Sequence, residues 1–141
     1  MFKSKQKKFA SAANKAFTTT ALLKAALAHD NDAMTQMVTG QTADDEGIKF
    51  ALETFIGVAH RHRAVVTQLE ELAPTMPDKA QIAFRSGISA AHNGTMRLFK
   101  GGNVVGQGVF IVALATAISE DDEALADALA TVQMFAERGG H

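Results

Sequence analysis

The sequence predicts an all-α, single-domain bundle of about five helices, and three observations lead there. No charged residue lies between Lys100 and Glu120, and Val109 to Ala115 is apolar on every face. A helix with no polar side has to be enclosed, so the segment near 104–118 is expected as a buried central helix. Elsewhere, apolar residues recur at three- and four-residue steps, the period of an amphipathic helix. Strand signals are sparse, and 47% hydrophobic content with only two prolines fits a compact chain. A length of 141 residues is enough for one real core.

The first helix is expected over 4–28, where Phe9, Ala13, Ala16, Leu23 and Leu27 make an apolar stripe with lysines between them. The β-branched run Thr18-Thr19-Thr20 weakens its middle. Asp30-Asn31-Asp32 ends it or opens a short helical piece through Val38. A loop follows over 40–46, with Thr42 and Asp45 spaced as an N-terminal cap.

The clearest helix is 44–72, where Ile48, Leu52, Phe55, Ala59, His62, Val66 and Leu69 keep step without a slip. Pro74 and Pro77 bracket a turn, and Thr75 with Asp78 is placed to open a helix over 78–100. The middle of that helix is rich in small residues (Gly87, Ser89, Ala90, Ala91), which would let another helix come close. Asn93-Gly94 is a turn signal inside it, with a break into two helices there as the alternative. Arg97, Lys100 and Gly101-Gly102 read as its C-terminal end. Ser119 is placed to cap a last helix over 120–138, whose acidic start suits the positive end of a helix dipole.

Composition narrows the chemistry. The absence of cysteine excludes disulfides, iron–sulfur clusters and thiolate zinc sites, and a cytoplasmic chain is expected. A membrane span needs about 20 mostly apolar residues, and Gly101, Gly102, Asn103, Gly106, Gln107 and Gly108 spoil the first half of the uncharged stretch. That stretch also lacks the Lys-Ser/Thr of a P-loop. His60 and His62 lie about 200° apart on a helix and cannot share a metal, and His29-Asp30-Asn31-Asp32 would hold a cation only weakly. Neither metal nor cofactor is expected. His62, inside an apolar stripe, reads as a buried, hydrogen-bonded imidazole.

The net charge of −1 conceals an asymmetry: Lys3, Lys5, Lys7, Lys8, Lys15 and Lys24 fall within the first 29 residues, which contain no acid. The segment superficially resembles a targeting peptide, but Lys15 and Lys24 interrupt any apolar run, and a retained arm is expected. The division is then 1–29 as a basic amphipathic arm and 30–141 as the bundle core. A lysine-rich amphipathic helix suits an acidic protein face, an anionic membrane or a nucleic-acid backbone. Protein docking is favoured, because the same chain supplies acidic stretches and lacks Trp, Tyr and any nucleic-acid motif. Phe2 and Phe9 would be the apolar contacts, and Lys5, Lys7, Lys8 and Lys15 the charged ones.

One chemical alternative concerns His92, with Gly94, Arg97 and Lys100 after it. From Ala91-His92 onward the chain is similar to histidine phosphotransfer domains. That resemblance implies a phosphoacceptor role for His92. The family's usual Lys and Gly, three and four residues after the histidine, are here Thr95 and Met96. The expected function is non-enzymatic: a small assembly or adaptor protein working through helix–helix contacts and self-association. His92 phosphotransfer, or an arm that binds anionic membrane or nucleic acid, stand as alternatives.

Overall fold

A computed structural model of the protein describes residues 2–39, 45–95 and 104–139, and the backbone alone for residues 2–13, 45 and 139. The described residues form seven α-helices and no strand: α1 (Phe2–Leu27), α2 (Asn31–Val38), α3 (Asp45–Arg61), α4 (Arg63–Leu72), α5 (Asp78–Asn93), α6 (Val104–Glu120) and α7 (Asp122–Gly139). A single 3-10 turn, Ala73–Thr75, joins α4 to α5. The expectation of about five helices is therefore low. The short piece after Asp30 is a helix in its own right, and the helix expected over 44–72 is two.

The uncharged segment is α6, and it touches each of the other α-helices. Phe110 and Leu114 are fully buried, as are Ile118 and, within a percent, Ile111. Burying one such side chain is worth about 1.5–3 kcal/mol, so α6 supplies a large share of the driving force for collapse. The small residues of α5 do admit a close neighbour. Gly87 faces the Phe110 ring, and Gly106 of α6 faces Ala80 and Ala83 of α5. Phe84 meets Phe110 edge to face, with ring centroids 5.6 Å apart.

Helix α1 is tied into this core from Ala16 onward: Leu22, Leu23 and Ala26 are buried in the same cluster as α3 to α7. The threonine run survives because Thr19 Oγ1 donates to the Lys15 carbonyl at 2.8 Å, so its burial leaves no unpaired hydroxyl. Leu27, expected on the apolar stripe, is instead 46% exposed. The helix closes with Asp30 N–H donating to Ala25 O and His29 N–H to Ala26 O, and His29 takes a left-handed φ of 54°. Asp30 then turns to cap α2, its Oδ1 accepting from Ala33 N–H at 3.0 Å.

Two expected helix ends move, and a third keeps its place without its expected cap. α5 stops at Asn93, because Gly94 adopts φ 67° and closes the helix. Arg97, Lys100 and Gly101-Gly102 lie outside the described residues, as does the Thr42 cap. Asp121, not Ser119, caps α7, accepting from Ala124 N–H at 2.9 Å; Ser119 donates to Thr116 O and stays in α6. Thr75 likewise donates back to Leu72 O rather than opening α5, which starts from Pro77. No single helix among the described residues is long and apolar enough to cross a membrane.

Candidate functional site

The expected contact residues of the arm belong to the first half of α1. Phe2, Lys5, Lys7, Lys8 and Phe9 are on its helical backbone, and their side chains lie outside the described part. Lys15 is half-buried, and its carbonyl holds Thr19. The side of α1 turned away from the core carries a residue the apolar stripe passes over. Phe17 is 72% exposed, with Asn14 and Lys24 also exposed on α1. Lys24 follows Phe17 by seven residues, so the two share a face about 10 Å apart along the axis. A large aromatic out of step with the stripe was the available signal.

Helices α2, α4 and α6 leave a cavity of about 530 Å³ between them. Its apolar wall is Val109, Val112 and Ala113 of α6 with Leu72 and Met76. Asn31 and Thr35 of α2 and Gln68 of α4 add polar edges, and among the described residues its only charged lining groups are the carboxylates Glu71 and Glu120. Neither makes an ion pair among the described residues. Periodicity alone does not reveal this cavity, because residues of α2, α4 and α6 line it together.

Helix α3 gives way to α4 at His60-Arg61-His62-Arg63. His62 is extended (φ −124°, ψ 95°) between α3 and α4, and its side chain is partly buried rather than sealed in an apolar stripe. Its Nε2 and Arg61 Nε both reach Asp127 Oδ2 of α7, at 3.0 and 2.9 Å. The Arg61 hydrogen bond, above all, holds the Asp127 carboxyl below its usual range, against the opposing effect of burial and with added help from His62. His60 faces the other way. Its Nδ1 lies 3.2 and 2.9 Å from the carbonyls of Ala91 and His92 at the end of α5, where an imidazole N–H satisfies open acceptors. His60 and His62 thus serve different helices.

His92, the expected alternative phosphoacceptor, is exposed at the end of α5. Its Nε2 pairs with Glu70 Oε1 of α4, and Arg63 Nη1 lies 3.4 Å from its Nδ1. A phosphoryl group on Nε2 would take the place of the Glu70 carboxylate. Among the described residues, no group of three or more His, Asp or Glu side chains is arranged to hold a metal ion. The chain matches no protein-family model, no curated protein and no solved structure.

Proposed function

We propose that this protein is a non-enzymatic helical assembly or adaptor module that acts through helix–helix contacts made by α1. The observation that carries this reading is the two-sidedness of that helix. One side is built into the core through Leu22, Leu23 and Ala26, while Phe17 on the other is 72% exposed on a segment rich in lysine. An aromatic with basic neighbours is suited to an apolar contact with an acidic rim.

The test is retention of partners, or of further copies of itself, from native extract by the full chain and by a Lys5→Glu/Lys7→Glu/Lys8→Glu chain, with size distribution read by sedimentation. Loss of retained protein or a smaller species on charge reversal supports the reading. Identical behaviour of the two, with nothing retained by either, removes it. Binding of the unmodified chain to anionic vesicles or DNA, abolished by the reversal, would assign the arm to the membrane or nucleic-acid alternative. Phosphotransfer on His92 draws support from its exposure beside Arg63. Labelling by a small phosphodonor that persists in His92→Gln would dispose of it.

A further inference from the structure

We infer that the cavity between α2, α4 and α6 is the seat for α1 of a second copy of this chain, with Phe17 as the inserted anchor. This rests on the proposed assembly function and names its partner. A single exposed phenylalanine is ordinary on a protein surface. Here the same molecule also carries a cavity of matching chemistry, about 530 Å³ in volume and walled by Val109, Val112 and Leu72. A helix is about 10 Å across with its side chains, so a helix lying over the opening would place only its anchoring side chains inside.

Charge fits the same pairing. Among the described residues the cavity is lined by Glu71 and Glu120 and by no lysine or arginine. Exposed Asp32 adjoins its Asn31 edge, and exposed Asp122 and Glu123 follow Glu120. Residues 1–29 carry six lysines and no acid, so with a net charge of −1 overall the remaining residues carry −7. Lysines on both sides of Phe17 would then meet carboxylates on both sides of the cavity, which favours encounter and sets orientation.

The occupant is a second copy because the molecule's own α1 cannot serve. Among the described residues no side chain of α1 lines the cavity, and Ala16, Leu22, Leu23 and Ala26 fix α1 in the core with Phe17 outside it. Pairing α1 with α1 would set lysines against lysines. The contact therefore joins two different surfaces, so each copy keeps one donor and one acceptor and the assembly grows as a ring or an open chain.

Sedimentation of the full chain across concentration tests this, with Phe17→Glu altering the donor surface and Val112→Arg the acceptor. The unmodified chain should associate, and more tightly at low salt. Either variant alone should weaken association by at least about thirtyfold, the scale of an interface hot spot. Mixing the two should restore a one-to-one complex that grows no further, because one intact donor and one intact acceptor remain. Circular dichroism checks the fold of each. If Val112→Arg does not fold, Glu71→Gln/Glu120→Gln takes its place, with an expected several-fold weakening and a shallower salt dependence. An unmodified chain that stays monomeric overturns the inference, and so does a mixture that fails to pair. If the chain associates and cavity variants leave that untouched, this seat is wrong while the assembly function stands. If the unmodified chain stays monomeric and extract retention also fails, both are lost.

Discussion

Phe110 occupies the space that a side chain on Gly87 would need: a β-carbon added there would fall 2.6 Å from Cδ2 of the ring. The ring is fully buried and also meets Phe84, so it has little freedom to retreat. Gly87→Ala should therefore destabilise the protein even though alanine is the better helix former by about 1 kcal/mol. The expected net loss is about 1–3 kcal/mol, the usual cost of overpacking, read as a lower midpoint in urea at constant slope. Phe110→Leu in the same chain should make the added methyl less costly than it is alone. Equal costs in both backgrounds would show that the ring is not what excludes it.

Asp127 gives the protein an acid-sensitive tie between α7 and the α3–α4 junction. Its carboxyl titrates below the ordinary value because the folded chain offers Arg61 and His62. A carboxyl with a depressed folded pKa stabilises fully above its unfolded pKa, about 3.9, and loses that contribution as pH falls through the folded value. Asp127→Asn should be less stable than the unmodified chain at pH 6, by about 1 kcal/mol for a partly exposed pair. The gap should close progressively below about pH 4. Thermal melts at a series of pH values measure it. A gap that stays constant down to pH 2.5 would contradict the assignment.

Much of the bundle is legible in the sequence because burial imposes a period. The uncharged run could only be α6, and the stripe through Ile48, Leu52, Phe55, Ala59, Val66 and Leu69 faces the core where its spacing puts it. The break at His62 was not legible, since the apolar pattern passes through it with neither Pro nor Gly. What ends α3 is tertiary: Arg61 and His62 turn toward Asp127, 65 residues or more further on, and no local rule encodes that pairing. The cavity was hidden too, because residues of three helices distant in sequence line it together. Caps failed in a related way. Ser119 and Asp121 both suit an N-cap, and the choice falls to the end of α6, which runs one residue past Ser119 to Glu120. Phe17 was visible as a residue but not as a surface, because exposure depends on which side of α1 the rest of the chain covers.

Two helices end in the same left-handed turn with different residues, and this makes opposite predictions at the two sites. His29 holds φ 54° after α1, and Gly94 holds φ 67° after α5. A residue with a β-carbon is disfavoured there by about 1–2 kcal/mol. Gly94→Ala should cost about that much, more because its β-carbon would press on the His60 ring at 3.3 Å. His29→Gly should instead stabilise, by about 1 kcal/mol. Denaturant titration of both variants measures the pair. A destabilised His29→Gly would mean that the imidazole makes a contact outweighing the relief of its backbone.

Gly57 is the counter-case to Gly87, and comparing the two separates helix propensity from packing. It lies inside α3, and among the described residues a β-carbon built on it approaches nothing nearer than Arg61 Nη1 at 3.6 Å, an ordinary contact with a flexible side chain. Alanine there loses no partner, restricts the unfolded chain and favours the helix. Gly57→Ala should raise stability by about 0.4–1 kcal/mol, while Gly87→Ala lowers it, although both are glycine-to-alanine changes in the middle of a helix. Because the sites lie on different helices and share no neighbouring side chain in these contacts, the double variant should show the sum of the single effects. Urea denaturation of the two singles and the double measures all three. A destabilised Gly57→Ala would mean that α3 is approached more closely at this position than its open surroundings allow.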